Sequence, residues 1–309
     1  PPWPLREVAT GRGVLAVRAA PPLRAGAAPA LFVHGLGGAS TNWTDLMALL
    51  RDRLDGEAVD LPGFGYSPPP ADGDYTPRGH AAALVALLEA RGRGPVHLFG
   101  NSLGGAVAVR LAATRPDLVT TLTLVSPALP DLRPRRGSLG LPLLAAPLLG
   151  ERLAAALARQ DPYRRAASVV RLCFGDPSAV PPERLAEAAA EVARRAELPH
   201  SQDAMLASLR GLLLDYVRGP AGRAVWRLAA SVAAPTLLVY GGKDRLVDAR
   251  MGPRAQRTFP DARLLVLPDS GHVAQIEHAP EVAAAVRDLL DATAARGRRA
   301  ADGAPAGPE

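Results

Sequence analysis

The sequence predicts an α/β fold with a mostly parallel, eight-stranded sheet that is flanked by helices and carries a helical cap after the sixth strand. Apolar strand-like segments alternate with helix-like segments in the first and last parts of the chain, which is the pattern of parallel sheets with helical crossovers. The alternation stops after residue 127 and returns at residue 235. With 309 residues, 48% of them hydrophobic, the chain is long enough to bury a large core and an inserted subdomain.

The first six strands are predicted from short apolar runs that are bounded by turn residues. They lie at 6–18 (two short strands that turn at Gly11 and Gly13), 30–34, 57–60, 95–99 and 119–125. Helical spacing of apolar residues predicts helices between them, at 43–53, 76–91 and 105–112. Asn42 is the predicted N-cap of the first of these helices.

Residues 128–228 contain no convincing strand, and proline breaks separate their helical stretches. The helices predicted there lie at 150–159, 182–197 and 201–217. After them, strands at 235–240 and 262–267 alternate with helices at 249–258 and 280–295. This organisation predicts a core of residues 1–127 and 229–295, a helical cap at 128–228 and a disordered tail at 296–309, which is rich in glycine, alanine, proline and charge.

Composition restricts the partners and cofactors that we expect. The net charge is +6, but the arginines are scattered and no aromatic residues alternate with them, so nucleic acid is not an expected partner. Cys173, the single cysteine, cannot form an intramolecular disulfide. The sequence also has no Cys/His cluster with metal-ligand spacing, so neither a metal nor an organic cofactor is expected.

No membrane span is expected. The apolar run at 139–149 is too short to cross a bilayer and is broken by Pro142 and Pro147. No signal peptide is visible, although the chain begins with Pro1 rather than methionine, and a cytoplasmic location is expected. The oligomeric state stays open.

The most informative motif is Gly100-Asn101-Ser102-Leu103-Gly104, which lies between a predicted strand and a predicted helix. A G-x-S-x-G in this context is typical of a nucleophile elbow, in which glycines allow a tight turn and the serine hydroxyl is pushed into the open. Ser102 is therefore the candidate nucleophile. A serine nucleophile needs a base that takes its proton and a carboxylate that holds the base.

Loops after the last two predicted strands offer both groups. Asp244 follows the strand at 235–240, with Asp248 as a competitor, and His272 follows the strand at 262–267. Open α/β sheets build their sites at the carboxyl ends of the strands, so these loops lie at the same edge as Ser102. The remaining histidines are interpreted as core or structural residues (His34, His97) and as surface or capping residues (His80, His200, His278).

Three further motifs surround these residues. They are His34-Gly35-Leu36-Gly37-Gly38, the segment DLPGFGYS from Asp60 to Ser67, and Gly271-His272 followed by Glu277 and Pro280. Together with the elbow and the chain order Ser102, Asp244, His272, they resemble the α/β-hydrolase superfamily over about residues 30–133 and 228–295. The resemblance implies a serine hydrolase, because relatives that are dehalogenases or epoxide hydrolases have an aspartate in place of Ser102.

A site for acyl transfer also needs backbone N–H donors for the developing oxyanion. One expected donor is the amide of Leu103, since N–H groups are free at the start of a helix. The resemblance implies that the second is the amide of Leu36, with Gly37 as the fallback. The candidates for the wall of the substrate pocket are Gly35, Gly37, Asn101 and Val273.

The expected reaction is hydrolysis of a small carboxylic ester with an apolar acyl group, through an acyl-enzyme, with the leucine- and alanine-rich cap over the acyl chain. A C–C bond hydrolase of the meta-cleavage-product type is the alternative. Against it, Val273 and Gly38-Ala39 stand where those relatives usually have an aromatic residue and a proline. A non-catalytic receptor or binding protein with this fold stays open, as does a nucleotide-binding protein, although Ser40 replaces the third glycine of that fingerprint.

Overall fold

The computed structural model describes residues 3–131, 133, 135–217 and 223–302. Its strands are β1 (Leu5–Thr10), β2 (Gly13–Ala20), β3 (Ala28–Val33), β4 (Leu54–Val59), β5 (Val96–Asn101), β6 (Val119–Val125), β7 (Thr236–Gly241) and β8 (Ala262–Leu267). They form one sheet in the order β1-β2-β4-β3-β5-β6-β7-β8. β2 pairs antiparallel with both β1 and β4, and every other pair is parallel. The predicted α/β fold with a mostly parallel, eight-stranded sheet is confirmed.

Helices cover both faces of the sheet, and six of them form the chain segment that connects β6 to its neighbour β7. They are α1 (Thr44–Leu50), α2 (Pro77–Arg91), α3 (Leu103–Thr114), α4 (Leu141–Ala145), α5 (Leu149–Ala158), α6 (Pro162–Cys173), α7 (Pro182–Ala196), α8 (Ser201–Val217), α9 (Arg223–Ala230), α10 (Met251–Thr258), α11 (Ala274–Glu277) and α12 (Ala279–Asp302). α2, α3, α9 and α10 pack on one face, whereas α1 and α12 pack on the other.

β5 lies in the middle of this core and is buried along its whole length. Its successive side chains point to opposite faces of the sheet. Leu98 joins the apolar cluster under α2 and α3. Phe99 joins the cluster under α1 and α12, where its ring stacks on Phe32 at 4.2 Å. Burial on both faces explains why this strand reads as a continuous apolar run rather than as an alternating one.

The register of the parallel strands brings their carboxyl ends together. Val33 on β3 pairs with Gly100 on β5, and Asn101 on β5 pairs with Val125 on β6. Val125 in turn pairs with Val239 on β7. The loops that follow these strands therefore leave the sheet at one edge, as expected for the site of an open α/β sheet.

In the described residues, the segment between β6 and β7 is built from helices alone, α4 to α9. The predicted cap boundary at 228/229 falls inside α9. Val225, Trp226 and Ala229 of that helix are buried in the same apolar cluster as α3. α9 thus packs on the sheet, whereas α6, α7 and α8 contact the loops at the carboxyl edge through Cys173, Arg195 and Met205.

Two local predictions are wrong. Asn42 does not begin a helix, because a short 3-10 turn over Ser40–Trp43 precedes α1 and the Asn42 Oδ1 accepts the Ala39 N–H at 3.0 Å inside it. The prediction of a disordered tail is wrong for residues 296–302. Helix α12 continues to Asp302, and Arg296 pairs with Asp261 at 2.5 Å. Alanine and arginine are strong helix formers, and this propensity outweighs the low-complexity composition. Residues 303–309 lie outside the described residues.

Candidate active site

Ser102 occupies a strained turn between β5 and α3. Its backbone has φ 53° and ψ −117°, a region that residues other than glycine rarely adopt. A methyl group at Gly100 would lie 2.5 Å from the Gly104 carbonyl oxygen, and one at Gly104 would lie 2.3 Å from the Val33 carbonyl oxygen. Both flanking glycines are therefore required by close backbone approach, and the predicted elbow is present.

Asp244 and His272 are in direct contact. The Asp244 Oδ2 lies 2.8 Å from the His272 Nδ1, and both residues are buried. The Asp244 Oδ1 accepts the N–H groups of Leu246 at 2.8 Å and Val247 at 3.0 Å. Burial opposes the charge of this carboxylate, but the His272 ring and the backbone donors outweigh it and hold the pKa of Asp244 below its ordinary value. Asp244 is thus an ionised acceptor with a fixed orientation.

Asp248, the competing acid, is engaged elsewhere. Its carboxylate accepts hydrogen bonds from Arg135 at 3.2 Å and from the Arg250 Nε at 3.1 Å. It has no contact with His272 in the described residues, so the geometry separates two aspartates that the sequence leaves as competitors.

Asn101 connects the elbow to the histidine loop. Its Nδ2 donates to the carbonyl oxygens of Val125 at 3.0 Å and His272 at 3.1 Å. On the other side of the elbow, a methyl group at Gly35 would lie 3.0 Å from the Ser102 Cβ. The Ser102 Oγ itself makes no hydrogen bond to His272 within the described residues. Such bonds are often long in ligand-free enzymes and shorten when substrate binds.

Two backbone amides beside Ser102 are free to bind an oxyanion. Leu103 is the first residue of α3, and neither its N–H nor that of Leu36 donates to a protein acceptor in the described residues. Gly37 has φ +67°, and the Gly38 N–H closes a tight turn on the Gly35 carbonyl oxygen at 3.0 Å. This turn presents backbone rather than side chain to the serine.

His34 holds that turn in place. Its Nε2 accepts the Leu61 N–H at 3.0 Å, so its Nδ1 carries the proton and donates to the Gly35 carbonyl oxygen at 2.7 Å. Burial lowers the pKa of His34, which keeps the ring neutral in this tautomer. The adjoining loop is fixed by Asp60, whose carboxylate accepts the N–H groups of Ser40 at 2.5 Å and Tyr66 at 3.0 Å.

The helices over the site contact the Gly35–Gly38 turn through residues that the sequence did not single out as site residues. The Met205 Cε of α8 would lie 3.4 Å from a methyl group at Gly37. Arg195 of α7 donates to the Gly37 carbonyl oxygen and is also held by Glu191 at 2.7 Å. An apolar thioether and a guanidinium therefore both lie next to Gly37.

The histidine loop is also bonded to these helices. The His272 N–H donates to the carbonyl oxygen of Cys173, the last residue of α6, at 2.6 Å. The Glu277 carboxylate accepts the N–H groups of Gly271 at 2.9 Å and Gly175 at 2.7 Å. The contacts of His272 with Cys173 and of Glu277 with Gly175 join segments about a hundred residues apart, so no local pattern in the sequence could indicate them.

Two of the other histidines are also bonded. His97 is buried and lies 2.8 Å from the Thr121 Oγ1, as expected for a core residue. His80, expected at the surface, is instead fully buried, with its Nε2 3.0 Å from the Ser208 Oγ of α8. The expectation failed because α8 covers this part of α2, which the sequence of α2 alone does not reveal.

A model of the family described as "alpha/beta hydrolase fold" matches residues 29–279. The chain belongs to the alpha/beta hydrolase fold family. Within it, the chain is 30% identical over 272 residues to Lipase 1 of Psychrobacter immobilis, covering 85% of this chain and 78% of that protein. It is 29% identical over 279 residues to a pimeloyl-[acyl-carrier protein] methyl ester esterase of Neisseria meningitidis, covering 84% of this chain and 92% of that protein.

A solved structure of a meta-cleavage product hydrolase from Pseudomonas fluorescens superposes with a TM-score of 0.72 at 18% identity, over 93% of this chain and 97% of that one. At this identity the likeness shows the alpha/beta hydrolase fold alone. The described residues hold no group of three or more His, Cys, Asp or Glu side chains that is arranged to bind a metal ion. They also contain no helix that is both long and apolar enough to cross a bilayer.

Proposed function

We propose that this alpha/beta hydrolase fold protein is a serine hydrolase that cleaves a small carboxylic ester through an acyl-enzyme. The observation that carries the proposal is the 2.8 Å contact between Asp244 and His272 at the edge that holds the strained Ser102. Relatives named lipase and methyl ester esterase support ester hydrolysis, and they cover most of the chain.

In the proposed mechanism, His272 takes the proton of the Ser102 hydroxyl while its oxygen attacks the ester carbonyl carbon. Asp244 accepts the His272 Nδ1–H, which leaves Nε2 as the base and stabilises the imidazolium that forms. The carbonyl oxygen becomes an oxyanion held by the free amides of Leu103 and Leu36. One such donor contributes about 3 kcal/mol to transition-state stabilisation.

Collapse of the tetrahedral intermediate breaks the ester C–O bond, and His272 returns the proton to the leaving alkoxide. A water molecule then repeats the sequence on the acyl-enzyme, with His272 as the base, and releases the acid and free Ser102. Every proton in the cycle passes through His272, so no metal or redox cofactor is needed to balance it.

We propose an apolar acyl group because Met205 of α8 lies against the Gly35–Gly38 turn. Met205 offers an adaptable apolar wall next to the candidate oxyanion donors. A panel of p-nitrophenyl esters tests this. We expect kcat/KM to rise from acetate to butyrate or hexanoate. In Met205→Gln, kcat/KM should depend less on the length of the acyl chain. A higher kcat/KM for acetate than for butyrate would contradict the apolar pocket.

One observation favours the C–C hydrolase as a second candidate. Arg195 points inward to the Gly37 carbonyl oxygen, so a cation lies beside the candidate oxyanion turn, where an acidic dienol could bind it. A p-nitrophenyl butyrate assay and a ring-fission dienone assay on the same preparation separate the two. A dienone kcat/KM above the ester value by tenfold or more would replace the esterase proposal.

A further inference from the structure

We propose that the outer face of α4 and α5 docks onto the surface of an anionic phospholipid membrane. This apolar face is formed by six leucines that are all exposed to solvent: Leu139 (56% exposed), Leu143 (58%), Leu148 (78%), Leu149 (43%), Leu153 (38%) and Leu157 (42%). The inference does not depend on the proposed reaction, because none of these leucines belongs to the candidate active site.

Helix α5 leaves its large apolar side chains partly exposed. Leu149, Leu153 and Leu157 are spaced by four residues, so they form one stripe, and each keeps about two fifths of its surface exposed to solvent. The helix packs against its neighbours through small residues instead. Gly150 is its buried residue, and a methyl group there would lie 2.0 Å from the Leu144 carbonyl oxygen of α4. Large apolar side chains that point outward beside a close-packed small-residue side need a partner that removes them from water.

The charges beside the stripe indicate what that partner is. Arg152 and Arg159 lie two turns apart on one side of the leucines, are exposed, and have no hydrogen-bond or ion-pair partner in the part of the chain that the structure describes. The neighbouring carboxylates are already engaged, since Glu151 binds Arg210 at 2.6 Å and Asp161 caps α6 through the Arg164 N–H at 3.0 Å. Asp161 accepts only a backbone N–H and keeps its charge, so the two arginines leave the unpaired charge around the apolar face net positive.

An anionic lipid surface satisfies both features at once. Leucines enter the acyl boundary while arginine stems reach back to the phosphates, which is how an interfacial helix binds. A second copy of this chain fits less well, because pairing two such faces brings Arg152 and Arg159 of both copies together. The net charge of +6 acts in the same direction, attracting the protein to an anionic surface.

The test is co-sedimentation of the full chain with vesicles. We would use the Ser102→Ala background, so that lipid hydrolysis cannot change the membrane during the measurement. Vesicles of phosphatidylcholine and phosphatidylglycerol in equal parts are compared with phosphatidylcholine alone, at about 0.1 M and about 0.5 M NaCl. We expect partitioning onto the anionic vesicles to be about tenfold stronger, and to fall at the higher salt concentration.

Two variants remove the two parts of the site. The triple variant Leu149→Ser, Leu153→Ser, Leu157→Ser should lower partitioning by about tenfold or more, and Arg152→Gln with Arg159→Gln should abolish the preference for anionic lipid. The matched controls are Leu23→Ser and Arg257→Gln. Both of these residues are exposed, and they lie outside α4 and α5. These controls should bind as the parent does. Circular dichroism checks that every variant is folded, above all the leucine triple variant, because more than half of each of its three leucine side chains is covered.

Three results would overturn the proposal. The first is no binding of the parent protein to anionic vesicles, and the second is unchanged binding of the leucine triple variant. The third is a concentration-dependent dimer, seen by light scattering, that dissociates in the leucine triple variant. That result would assign the face to a contact between copies of this chain.

Discussion

The backbone N–H of His272 donates a 2.6 Å hydrogen bond to the carbonyl oxygen of Cys173. The candidate base is therefore held on one side by the Asp244 carboxylate, through its ring, and on the other by the end of α6, through its backbone. Glu277 reinforces the second attachment, because its two oxygens accept the N–H groups of Gly271 and Gly175. The position of α6 and the position of His272 are consequently coupled.

This coupling predicts that Glu277 is a positioning residue. Glu277→Ala removes both acceptors and should lower kcat by about tenfold to a hundredfold with a smaller change in KM, since a base displaced by about 1 Å costs that much. Glu277→Gln keeps one acceptor oxygen, so its kcat should lie between those of the parent and of Glu277→Ala. The readouts are the separate changes in kcat and KM and the rate of phosphonylation by a fluorophosphonate.

The matched control is Glu281→Ala, an exposed carboxylate on α12. It should leave kcat, KM and the phosphonylation rate unchanged. Equal kinetics for Glu277→Ala and Glu281→Ala would show that the two hydrogen bonds of Glu277 do not position His272.

Asp244 and Asp248 provide a second test, because only the first touches His272 in the described residues. Asp244→Asn should lower kcat by about four orders of magnitude, since the amide cannot hold the required tautomer or stabilise an imidazolium. The kcat of Asp248→Asn should remain near that of the parent. The two variants are compared by steady-state p-nitrophenyl butyrate hydrolysis, and a greater loss in Asp248→Asn would reassign the acid.

His97 makes folding stability depend on pH. Burial lowers the pKa of His97 to about 4, whereas an unperturbed histidine titrates near about 6.5. Below about pH 6.5, His97 binds a proton in the unfolded chain but stays neutral in the folded chain. The stability contributed by neutral His97 is thus complete above pH 6.5 and is lost as the pH falls toward 4.

The measurement is the free energy of unfolding from denaturant titrations at about pH 7.5 and about pH 5. Neutral His97 accounts for about 2 kcal/mol of the loss between them, so His97→Asn should show a pH difference smaller by that amount. A variant whose stability falls with pH as steeply as the parent's would refute this assignment.

Cys173 allows a fourth prediction. Its backbone carbonyl oxygen accepts the His272 N–H, whereas its thiol has no role in the proposed mechanism. Burial, with Asp244 and Glu277 nearby, raises the pKa of this thiol to about 12. At about pH 8 only about one thiol in ten thousand is ionised, so the folded protein should resist iodoacetamide and the unfolded protein should react. Cys173→Ala should keep kcat within about twofold. Rapid alkylation of the folded protein with loss of activity would contradict both expectations.

The parts of the site that sequence could predict are local. The Ser102 elbow follows from glycines within the same turn, and Asp244 and His272 follow from their places directly after β7 and β8. Contacts such as His272 with Cys173 could not be predicted, because they depend on how helices from a distant segment settle over the sheet edge. The same cause explains why His80 is buried although the sequence of α2 predicts a surface position, and helix propensity explains the helical residues 296–302.

The nucleophile is the central claim, and active-site labelling tests it most directly. The purified protein is treated with a fluorophosphonate, digested and mapped by mass spectrometry. We expect one phosphonyl group, on the peptide that contains Ser102, no label in Ser102→Ala, and slow labelling in His272→Ala. Labelling of another serine, such as Ser126, or undiminished ester hydrolysis by Ser102→Ala would contradict the account.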